Sequence, residues 1–62
     1  MNIIKIIQEV AEYKINESKA WCENEVNQYG EQMKDGIIYQ HLQMRIALNK
    51  LVYELMSVFK RR

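Results

Sequence analysis

The chain has 62 residues, 48% of them hydrophobic and 27% charged, with a net charge of +1. It holds no proline, two glycines and one cysteine, which excludes a disulfide framework, a proline-rich linker and a cysteine-based zinc finger. So few turn residues also argue against an all-β domain.

Ile, Leu, Val and Phe together make 17 of the 62 residues. That lies above the roughly 20% below which chains tend to stay disordered, so one folded domain over residues 1–62 is expected. Residues 1–35 carry four lysines and seven acids, whereas residues 36–62 carry five cations and one acid. Opposite charge on the two halves favours folding one back on the other.

Helix 1 is predicted over about residues 2–29, with Asn2 as its N-cap. Ile4, Ile7, Ala11, Ile15, Ser18, Cys22, Val26 and Tyr29 recur at steps of three and four and share one face. Ile3, Val10 and Trp21 widen that face, and Lys5, Glu9, Glu12, Lys19 and Glu23 fill the opposite side. Gly30 is the natural helix terminator, because glycine tolerates a positive φ.

Asp35 suits the N-cap of a second helix, predicted over about residues 36–60. At 1.5 Å per residue the helices span roughly 42 and 38 Å, and their short link makes an antiparallel two-helix hairpin the expected all-α fold. A turn centred on Met33 sets Phe59 level with Ile7, Leu55 with Ala11, Leu48 with Ser18 and Met44 with Cys22.

Helix 2 carries more apolar surface than one partner can cover. Its main face is Ile37, Met44, Leu48, Leu51, Val52, Leu55, Val58 and Phe59, expected to meet helix 1. A second group, Ile38, Leu42, Ile46, Tyr53 and Met56, is expected to stay outside, with Ser57 in the solvent strip. The ridge of Leu42, Ile46, Tyr53 and Met56 is therefore the expected partner or dimer interface, with Trp21 as a further anchor. Dimerisation into a four-helix bundle would cover it.

His41, Glu25 and Arg45 are expected to form an interhelical polar group that fixes the hairpin register. Cys22, Glu25 and His41 match no metal-ligand spacing, so no metal or cofactor is expected. No nucleophile–base constellation is visible, and an enzyme is not expected.

The functional expectation is a protein–protein interaction module, a regulator, inhibitor or adaptor of a larger partner, of the kind phages and mobile elements encode. One alternative is a nucleic-acid-binding regulator that uses Lys50, Lys60, Arg61 and Arg62 of a dimer. Another is a structural subunit of a larger helical assembly. No apolar run approaches the ~18–20 residues of a membrane span. A lone Cys22 without an export signal points to the cytoplasm.

Overall fold

The computed structural model describes residues 2–61. It is a hairpin of two helices, α1 (Ile3–Tyr29) and α2 (Ile37–Lys60), joined by a short 3-10 segment at Glu31–Asp35. The described chain measures 44 × 16 × 13 Å, the shape of two helices lying side by side.

The start of α1 follows from Asn2. Its backbone is extended, and its side-chain oxygen accepts a hydrogen bond from the Lys5 amide at 3.2 Å. One of the four orphan amides of the first turn is thereby satisfied. The helix ends at Gly30, whose φ of 92° is the one positive value among the described residues. Its amide still donates to the Val26 carbonyl at 2.8 Å, so the chain turns away only after the last helical bond is made. A Cβ at Gly30 would approach the Gln32 side chain to 2.9 Å, in a backbone region that side chains rarely adopt.

The start of α2 differs from the expectation. Asp35 does not cap it. Residues Glu31–Asp35 wind into the 3-10 segment, and the Gly36 amide donates to the Met33 carbonyl at 3.0 Å. That bond carries the chain past Asp35, and extended Gly36 becomes the N-cap, without a side-chain hydrogen bond.

The seam between the helices is narrow. Along α1 it runs through Ile4, Gln8, Ala11, Ile15, Ser18 and Cys22, all buried or half-buried. Along α2 it runs through Tyr39, Leu42, Ile46, Asn49 and Met56, again buried or half-buried. The α1 series steps alternately by four and three, and the α2 series does the same as far as Asn49 and then steps by seven to Met56, the 3.5-residue period of helices that pack nearly side by side. The small side chains of Ser18 and Cys22 leave room on α1 at the level of Leu42 and Ile46. These two, with Cys22, form the buried apolar cluster, and Ile15 and Tyr39 pack against it.

This arrangement reverses the expected roles of the two faces of α2. Leu42 and Ile46, expected outside, are each only 6% exposed. Ile37, Met44, Leu48 and Leu51, expected inside, are 75%, 62%, 59% and 63% exposed. The polar side chains supply the reason. Gln8 is buried, and its amide nitrogen donates to the Ser57 hydroxyl at 2.9 Å and to the Tyr53 carbonyl at 3.3 Å. The Ser57 hydroxyl in turn donates to the Tyr53 carbonyl at 3.2 Å. Had the Leu48–Leu51 side faced α1, Gln8 would have met apolar carbon and kept no partner. A buried amide without partners costs about 1–3 kcal/mol, enough to choose between two otherwise comparable apolar faces. The axial register is close to the expected one: Gln8 lies opposite Ser57, where a turn centred on Met33 sets Val58.

Candidate docking surface

The second heptad stripe of α2 is the most conspicuous surface feature of the hairpin. Ile37, His41, Met44, Leu48, Leu51, Leu55 and Val58 step by four and three along the outer side, and all are exposed. They lie about half a turn around the helix from Leu42 and Ile46. Val52 and Phe59 border the stripe, and Val52 shares a shallow groove with Ile6, Val10 and Lys14 of α1. The apolar surface therefore continues across the seam onto α1, where Ile6 and Val10 are also exposed.

The opposite flank of the seam mixes charged with apolar side chains, Ile15 and Val26 among the latter. Glu12, Lys50, Tyr53 and Glu54 line one hollow there, and Lys19, Glu23, Asn27, Lys34 and Gln43 contribute to another. The two sides of the hairpin thus differ in charge: one is nearly all apolar carbon, and the other carries most of the charged side chains beside some apolar ones.

Leu42 and Ile46 are spent inside the hairpin, so they form no open ridge. Met56 is half-buried in the same seam, and Tyr53 flanks it at 37% exposure. Trp21 is 49% exposed on α1, and its indole nitrogen donates to the Glu25 carboxylate at 3.1 Å.

The expected group of Glu25, His41 and Arg45 does not assemble. Glu25 is taken by Trp21 on its own helix. Arg45 reaches Glu17 instead, with nitrogen and oxygen 3.7 Å apart and both side chains about half exposed. His41 sits on the outer stripe, exposed. The half-turn rotation of α2 that seats Leu42 in the seam is what carries His41 out of it.

The candidate nucleic-acid cations lie among acids. Lys50 shares its hollow with Glu12 and Glu54, and Lys60 shares another with Glu9 and Glu12. Arg61 is exposed at the end of α2, and Arg62 lies outside the described residues. At the turn, Lys34 and Glu31 approach to 2.7 Å. The hydrogen bond to Glu31, then its charge, holds the Lys34 ammonium above its ordinary pKa.

Sequence reasoning missed Gln8 and Ser57. The available signal was spacing: Gln8 falls between Ile4 and Ala11 at steps of four and three, inside the seam period. Among the described residues no helix is long and apolar enough to cross a membrane. Comparison with protein-family models, with curated proteins and with solved structures found no match for this chain.

Proposed function

We propose that the chain is a non-enzymatic protein–protein interaction module. It docks through the outer face of α2, dimerises into a four-helix bundle, and in that form acts as a regulator, inhibitor or adaptor of a larger partner. The observation that carries this reading is the uncovered stripe from Ile37 to Val58, apolar at every heptad position except His41. Soluble monomers rarely expose so long a contiguous apolar surface.

Stability argues the same way. Among the described residues the buried apolar ones are Ala11, Cys22, Leu42 and Ile46, of which Leu42 and Ile46 are large. Each contributes roughly 1.5–3 kcal/mol, little against the ordering of a whole hairpin. A hairpin with so small a core of its own gains much from further burial against a second molecule.

The test is solution mass by light scattering across a dilution series, for the natural chain and for Leu48→Lys. The proposal expects a mass twice the 7.5 kDa of one chain, falling to 7.5 kDa in the variant. A folded natural chain that stays monomeric at the highest concentration would overturn it.

A further inference from the structure

The outer stripe has a direction as well as an area. We propose that it is covered by the same stripe of a second copy running antiparallel, with the two-fold axis passing between Leu48 and Leu51. This rests on the self-association proposed above and adds its geometry.

The period identifies the kind of occupant. Alternating steps of four and three fit another α-helix wound at a shallow angle, not a sheet edge or an extended peptide. The copy's own outer stripe has that period and that length. The chain exposes 5056 Å², whereas a compact monomer of 7.5 kDa exposes roughly 4,200 Å². The excess is comparable to the roughly 800 Å² that each partner gives to a standard stable interface.

The borders of the stripe are more often uncharged than charged. Gln40, Ala47, Glu54 and Arg61 lie on one edge, and Ile38, Arg45, Val52 and Phe59 on the other, so five of the eight border positions are uncharged. A foreign helix would find few charges there to select it, and a second copy would meet few to repel it.

Direction follows from the charges that remain. A parallel pair would stack His41 on His41 and bring Lys60 and Arg61 of both copies to the same end. It would also align the two helix dipoles. An antiparallel pair separates the basic ends by the length of α2 and opposes the dipoles. With the axis between Leu48 and Leu51, Leu48 packs on Leu51 of the partner subunit and Met44 on Leu55 of the partner subunit. His41 then meets Val58 of the partner subunit, and Phe59 approaches Ile38 of the partner subunit along the apolar edge.

Double electron–electron resonance tests the arrangement. Spin labels go on Gln40→Cys and, separately, on Lys60→Cys, each in the full chain with Cys22→Ser. Cys22→Ala serves as a second background, because Cys22 is buried and accepts a hydrogen bond from Gln43. Helicity and solution mass are measured on the labelled samples. Antiparallel pairing predicts a dimer with both label separations at roughly 30 Å, from about twenty residues at 1.5 Å each. A dimer with both separations under about 20 Å, set by the interaxial distance and the label arms, would overturn the antiparallel arrangement and leave self-association standing. Folded, monomeric samples in both backgrounds would overturn the two together.

Discussion

Helix α2 carries two apolar stripes of the same period on opposite sides, and they meet different fates. The inner stripe, centred on Leu42 and Ile46, is interrupted by Asn49 and bordered by Ser57. The outer stripe, centred on Leu48 and Leu51, is the more apolar of the two, yet it faces solvent. Hydrophobic weight alone therefore did not decide which side met α1. The polar residues did, because α1 brings Gln8 to the seam and only the inner side of α2 offers it Ser57. Polar groups in a seam act as a key: they add little net stability but penalise the wrong fit.

The largest expected effect breaks the inner stripe. Ile46→Ala removes one of the two large buried side chains and should cost about 2–5 kcal/mol. Helicity by circular dichroism should collapse at concentrations where the natural chain is folded. Breaking the outer stripe comes next. Leu51→Lys should weaken the proposed self-association by about 2 kcal/mol or more, since it takes a leucine out of the dimer contact and places an ammonium in its stead. Analytical ultracentrifugation would register this as a rise in dissociation constant of at least about thirty-fold.

Smaller changes sharpen the comparison. His41→Leu fills the single polar position of the outer stripe and should tighten the dimer by about 1 kcal/mol, read in the same dissociation constant. Gln8→Met keeps the volume of the seam but removes its hydrogen bond to Ser57. It should cost about 1 kcal/mol in urea denaturation, with a broader distribution of helix–helix arrangements. Lys34→Ala removes the exposed pair at the turn and should leave the melting temperature within error, as isolated surface pairs do.

Much of the hairpin is legible in the sequence. Asn2 and Gly30 bound α1 for local reasons, and neither depends on the rest of the fold. The axial register is legible too, because a short link leaves little freedom, and the structure departs from it by one residue at Gln8 and Ser57. The end of the link is less so: Asp35 is a good capping residue in isolation, but the Gly36–Met33 hydrogen bond moves the cap one residue on. The facing of α2 is not legible from hydrophobic pattern, since both stripes have the right period and the more apolar one faces solvent. Counting Gln8 as a member of the α1 seam, and asking which side of α2 could satisfy it, would have resolved the choice. The expected group of Glu25, His41 and Arg45 failed with that same choice, because it required His41 to face inward.

The proposed dimer uses the inner stripe of α2 within one chain and the outer stripe between chains. Isotope-filtered nuclear Overhauser spectroscopy on a dimer mixed from labelled and unlabelled protein separates the two directly. The methyls of Leu48, Leu51 and Leu55 should show intermolecular contacts, while those of Leu42 and Ile46 show only intramolecular ones, to Ile15 and the Cys22 region. Intermolecular contacts from Leu42 and Ile46, with Leu48 and Leu51 in contact with α1 of their own chain, would contradict it.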